Sequence, residues 1–195
     1  MKKKLNVCLI ILLSLGCFYV LGDRLLSLSV QSLVQNQNEL TQQFEHVSTL
    51  LKTEESAYET ILASGVDADH KALVAEVNTT LQQLSDEGEQ LHEAQATLNE
   101  DVQALSAMIK DVTGLVLSSQ DETLTHLARY QEAVLYYLEV VEAHVGLTAG
   151  FYELLPTNQV SVLDSHVTLL NDHIEDVNEA KAAVDAKLEI FNGNS

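Results

Sequence analysis

The stretch Tyr152-Glu153-Leu154-Leu155-Pro156-Thr157-Asn158-Gln159-Val160-Ser161-Val162-Leu163 decides the fold. It holds the only proline of the chain, and proline cannot continue an intrahelical hydrogen-bond ladder. Before it, apolar residues recur in steps of three and four at Leu124, Leu127, Val134, Leu138, Val141, Val145, Tyr152 and Leu155. After it, the same rhythm runs through Val160, Leu163, Val167, Leu170, Ile174, Val177, Val184, Leu188 and Phe191. A repeat of about 3.5 residues held over many turns is the mark of helices packed knobs-into-holes. The two segments read as helices of roughly 33 and 31 residues, near ~50 Å each at ~1.5 Å per residue. Matched lengths and the Thr-Asn after the proline favour a full reversal. The alternative is one helix kinked at Pro156.

Working outward, helix 1 carries Leu26, Val30, Leu33, Leu40, Phe44, Val47, Leu51, Tyr58 and Ile61 on one seam. Helix 2 carries Val74, Val77, Leu81, Leu84, Leu91, Leu98, Val102, Leu105, Ile109, Val112 and Val116. Ser64-Gly65-Val66-Asp67 offers a glycine to end helix 1 and Asp67 as the next N-cap. Ser118 to Glu122 separates helices 2 and 3, with Ser119 and Glu122 at capping-box spacing. Ser161 and Asp164 repeat that spacing at the start of helix 4. Short connections between long helices predict antiparallel neighbours. The reading is an all-α fold, an antiparallel up-and-down four-helix bundle of long helices; the alternative is a three-helix bundle whose last helix is kinked at Pro156.

Composition agrees. The chain has 195 residues, one proline, eight glycines, no tryptophan and 46% apolar residues. That length can bury a core without disulfide staples. The formal net charge is −19, which argues against nucleic acid as a partner. Both cysteines, Cys8 and Cys17, lie in the first apolar stretch, so neither a disulfide framework nor a cysteine zinc site is expected in the folded part.

The N-terminus reads as an address. Met1-Lys2-Lys3-Lys4 is a charged region and Leu5 to Leu15 a short apolar one, the pattern of a bacterial export signal. Leu13-Ser14-Leu15-Gly16-Cys17 resembles a lipobox, which would make residues 1–17 a lipoprotein signal, Cys17 the lipidated residue and 18–195 the extracytoplasmic bundle. The competing reading is an uncleaved anchor over 5–21, short for a span. Both place the body outside the cytoplasmic membrane. From residue 25 onward there are 6 basic and 28 acidic residues, which disfavours long-range attraction to anionic wall polymers.

Further short stretches carry a family likeness. Lys52-Thr53-Glu54-Glu55 runs into Tyr58-Glu59-Thr60-Ile61 and the turn at Gly65; Arg129-Tyr130 leads to Tyr137; Tyr152-Glu153-Leu154-Leu155 precedes the break, and Phe191-Asn192 lies near the end. With these, most of residues 40–192 resembles the cell-wall-binding lipoprotein family of Gram-positive bacteria. The resemblance implies a helical bundle on a lipid anchor, associated with the wall.

Polar residues interrupt the seams. Counting along the helices puts Gln37, Gln95, Gln131 and Lys181 at one level. Such a layer fixes register and topology at some cost in stability; the sharper reading is a polar pocket for an anionic ligand near Lys181. Tyr136 and Tyr137 are adjacent and cannot point the same way, so one of them is a candidate aromatic platform for a glycan or protein. Glu89 and His92 have the Glu-x-x-His spacing of di-iron bundles, without a second copy. His166 and His173 flank a seam and read as surface residues. Gly146 and Gly150 permit a close helix crossing. No nucleophile motif or phosphate loop occurs. The expectation is a non-enzymatic surface protein, without metal or cofactor, that meets the membrane through Cys17 or an N-terminal anchor and binds peptidoglycan or an envelope protein. The rival is a structural spacer or assembly module.

Overall fold

A computed structural model describes the backbone of residues 2–65, 70–113, 118–157 and 160–193 and the side chains of 24–65, 70–109, 121–156 and 161–193. The expected Asp67 cap and the side chains of Cys8, Cys17 and Ser119 lie outside the described residues. Four helices follow one another: α1 (Lys2–Ser64), α2 (Lys71–Thr113), α3 (Ser118–Leu154) and α4 (Val160–Gly193). Leu155–Thr157 form a 3-10 turn between the last two. The long helices pack together as an all-α four-helix bundle.

Pro156 marks a reversal. Tyr130 stacks on Phe191 at 6.0 Å, His144 meets His173 at 5.8 Å, and Gly150 faces the His166 ring. Numbers on α4 fall as those on α3 rise, so the two are antiparallel. The His46–Glu87 pair sets α1 antiparallel to α2. Thr41 pairs with Tyr130 and Ser48 with Tyr137, so α1 and α3 run parallel across the bundle in steps of seven. Gly65 ends α1 with φ 85°, a left-handed conformation that glycine adopts without strain. Its N–H caps the Ile61 carbonyl at 3.1 Å.

Two helix starts differ from expectation. Ser118 to Glu122 belongs to the first turns of α3 rather than to a break; Asp121 there suits the positive end of the helix dipole. Ser161 lies inside α4, which already begins at Val160.

The core is a single seam on α1, α2 and α4 but a double one on α3. Besides Leu124, Leu127, Gln131, Val134, Leu138, Val141, Thr148, Tyr152 and Leu155, α3 buries Tyr130, Tyr137, His144 and Phe151. These four recur every seven residues and face α1. α3 packs closely along both α2 and α4 and also faces α1 across the bundle, so it buries a stripe beyond its seam. Phe44 packs on Tyr137 at 5.1 Å and Tyr58 on Phe151 at 5.3 Å. Each such ring, fully buried, contributes roughly 1.5–3 kcal/mol. At the other end Val30, Leu33, Leu98, Val102, Ile109, Leu124, Leu127 and Phe191 form a second cluster. α1 is the longest element, 63 residues, or about 95 Å at ~1.5 Å per residue.

Candidate functional site

Glu54 comes from the α1 seam and is 2% exposed. A carboxylate at such depth needs partners, and α3 supplies them. Its Oε2 lies 3.2 Å from His144 Nε2, and its Oε1 accepts the Tyr152 hydroxyl at 3.2 Å. Thr148 Oγ1 is 3.3 Å from the same His144 nitrogen. His144, Thr148 and Tyr152 are all buried; they sit four residues apart and so share one face of α3. A carboxylate oxygen accepts, so His144 Nε2 is the donor in this contact. Its Nδ1 is buried without a hydrogen-bond partner among the described residues.

The neighbours extend this network. Tyr58 donates to Asn171 Oδ1 at 3.4 Å, and the His173 ring reaches the His144 ring, with its own Nδ1 buried and unpartnered. Burial, then the Glu54 charge, pushes the Tyr152 hydroxyl well above the ordinary phenol range and raises Tyr58 in the same direction. Tyr130 and Tyr137 are also raised, first by burial, with the Thr41 and Ser48 hydrogen bonds pulling the other way. A cavity of about 60 Å³ opens beside this network, between α1, α3 and α4. His144, Ser48 and Tyr137 contribute to its lining, together with Lys52 and Lys181.

The expected polar layer is three residues, not four. Gln37, Gln95 and Gln131 are completely buried, and none of their amide atoms has a hydrogen-bond partner among the described residues. The His46–Glu87 register brings Gln37 and Gln95 level, and the Thr41–Tyr130 register puts Gln131 about one turn away. Lys181 lies outside this layer. Its ammonium pairs with Asp185 at 2.8 Å and sits over the Phe44 ring at 5.1 Å, two turns from Gln37. The Tyr130–Phe191 and His144–His173 contacts set Lys181 opposite the Tyr137 level of α3, about two turns from Gln131.

Of the tyrosine pair, Tyr136 is 58% exposed and Tyr137 is buried against Ser48 and Phe44. The surface platform is therefore Tyr136 alone. His166 and His173 are half-buried against α3, not free surface residues. A close approach occurs at Gly150, where an added Cβ would lie 3.5 Å from His166 Nε2; Gly146 has open space instead. Among the described residues no three His, Cys, Asp or Glu side chains converge as metal ligands, and Glu89 and His92 border an open groove between α2 and α3. Among the described residues no helix is long and apolar enough to cross a membrane.

Sequence reading missed His144 and passed over Glu54. The signal for Glu54 was present, since it is a charged residue on an apolar seam with Thr148 on the facing one. His144 falls on the second stripe of α3, which a single heptad count skips. No protein-family model, curated protein or solved structure matches the chain.

Proposed function

We propose that this chain is a membrane-anchored helical-bundle lipoprotein on the outer side of the cytoplasmic membrane, with a non-enzymatic role in binding the cell wall or another envelope component. The observation that carries this reading is the Lys2-Lys3-Lys4 head, the apolar Leu5–Leu15 run and Cys17, set before a strongly acidic bundle. Two acyl chains on Cys17 give stable anchoring where one gives only marginal binding. The unbroken helical backbone of α1 from residue 17 to Ser64 supports a rigid connection between a lipid on Cys17 and the bundle. Leu25, Leu28 and Met108 are exposed apolar residues toward the same end, which suits proximity to a bilayer. Tyr136 supports contact with sugars or peptides by stacking rather than by charge.

A second reading, a structural spacer or assembly module, draws on the same Leu25, Leu28 and Met108, which a protein partner would cover equally well. The test has two parts. In a Gram-positive host, an alkyne fatty acid should label the full chain and not the Cys17→Ala variant; an unlabelled chain that leaves the membrane with alkaline carbonate overturns the anchored reading. The detergent-solubilised chain should then sediment with sacculi stripped of teichoic acid, resist high salt and lose binding in Tyr136→Ala. No sedimentation at any salt overturns wall binding in favour of the spacer.

A further inference from the structure

We propose that the bundle is two cooperative units in series, and that the unit below Gln37, Gln95 and Gln131 opens by itself while the rest stays folded. The inference does not depend on the anchored reading above. The buried apolar residues fall into two clusters, and on three helices a glutamine marks the boundary. On α1, Gln37 stands between Leu33 of the lower cluster and Phe44 of the upper one. On α2, Gln95 stands between Leu98 below and Leu91 above. On α3, Gln131 stands between Leu127 below and Val134 above. The apolar ties across the layer are Leu40 and Leu188, partly buried against both clusters, and the stack of Tyr130 on Phe191.

The two units are held differently. Thr41–Tyr130, His46–Glu87, Ser48–Tyr137, Glu54–His144 and Tyr58–Asn171 tie helices together above the layer. Among the described residues the aromatic ring of the lower cluster is Phe191, whereas the upper one packs Phe44, Tyr58, Tyr130, Tyr137, Phe151 and Tyr152, and rings carry the largest buried areas. At the layer itself the glutamine amides are dry and lack partners among the described residues, as does Asn99 Oδ1 one turn below Gln95. A buried polar group without a partner costs its desolvation, and water returns that cost when the packing parts. Parting the upper unit would instead break the Glu54 hydrogen bonds. The glutamine layer is therefore the weakest place to divide the bundle, and such differences appear in solution as separate opening units. Residues 96–113 of α2 and 118–130 of α3 are too short to stay firmly helical once unpacked, so opening frees their backbone amides. It also bares Leu98, Val102, Leu124 and Leu127 at the end where Leu25, Leu28 and Met108 are already exposed. The lower end thus holds an apolar surface that exists only in the open state.

The experiment is native-state hydrogen exchange on the full chain in mild detergent, read amide by amide at low urea concentrations. Residues 98–109 and 124–127 should share one opening equilibrium, at least a hundredfold more populated than that of 81–91 and 134–152. A smooth gradient of protection along α2 and α3 overturns the proposal, because it is the pattern of fraying from an end. Val141→Ala, above the layer, should speed exchange in the upper segments at least fivefold and leave the lower ones unchanged. Equal acceleration of both segments means a single cooperative unit and overturns the proposal. Gln95→Leu, and the triple variant Gln37→Leu/Gln95→Leu/Gln131→Leu, should shrink the step between the segments at least tenfold. An unchanged step in both variants overturns the assignment of the boundary to the glutamines.

Discussion

Two buried polar layers lie about 25 Å apart along α1, taking ~1.5 Å for each residue between Gln37 and Glu54, and they are built on opposite principles. In the upper one the buried carboxylate is matched: Glu54 receives both His144 and Tyr152, and Thr148 closes on the same imidazole, whose Nδ1 alone lacks a partner among the described residues. The lower one is bare: Gln37, Gln95 and Gln131 are completely enclosed, and their amides are unmatched by any protein group. A buried hydrogen bond is worth little net, whereas an unmatched buried group costs its full desolvation. The upper layer therefore holds the fold together, while the lower one taxes it and restricts which helices can sit side by side.

The largest effect that sharpens this contrast is alkaline. Tyr58, Tyr130, Tyr137 and Tyr152 all have folded pKa values raised above the ordinary 10.0. Above about pH 10 the unfolded chain releases these protons and the folded one keeps them, so the stability these four groups contribute is constant below that pH and falls as pH rises beyond it. Phenolate absorbance near 295 nm should appear together with the loss of helical circular dichroism, in one cooperative step. Ionisation of these four rings within an intact helical bundle would contradict their burial. Tyr152→Phe should shift the midpoint upward, since it removes the ionisable hydroxyl that bonds Glu54.

The next effect is mutational. Glu54→Ala strips His144 and Tyr152 of their shared partner and leaves a hole, and should cost about 3–5 kcal/mol in urea unfolding. Glu54→Gln, which keeps the shape and one acceptor, should cost less. Equal losses would mean that shape alone matters there. The smallest effect has the opposite sign: Gln95→Leu should stabilise by about 1–3 kcal/mol, because an unmatched amide gives way to an apolar side chain. A destabilised Gln95→Leu variant would show that the lower layer is not bare in solution and would erase the comparison.

The same contrast explains what could be read in advance. Apolar spacing exposes the seams of α1 and α2 almost residue by residue, because each of those helices buries one stripe. Glutamines on a seam announce themselves by violating it, and Gln37, Gln95 and Gln131 were visible for that reason. Lys181 met the same criterion and misled, because relative height between helices depends on connector geometry, and a 3-10 turn carries no periodic signal. His144 and Tyr137 were hidden by a different cause. Their burial follows from α3 being flanked closely by both α2 and α4 while facing α1, a property of the assembly that no one-helix pattern encodes. The Glu54–His144 encounter spans 90 positions in the chain and becomes apparent only once α1 and α3 are aligned.

That alignment has a consequence for sliding errors. Thr41 with Tyr130 and Ser48 with Tyr137 are chemically equivalent rungs seven residues apart. A slip of α1 by one heptad, about 10 Å, would set Ser48 against Tyr130 and preserve a hydroxyl pair. Hydroxyl rungs alone thus work like the evenly spaced marks of a ruler, with no zero. Glu54 and His144 supply the zero: the slipped chain would present Ile61 to the imidazole and strand the carboxylate. One acid–imidazole contact thereby makes a repetitive ladder readable in a single way.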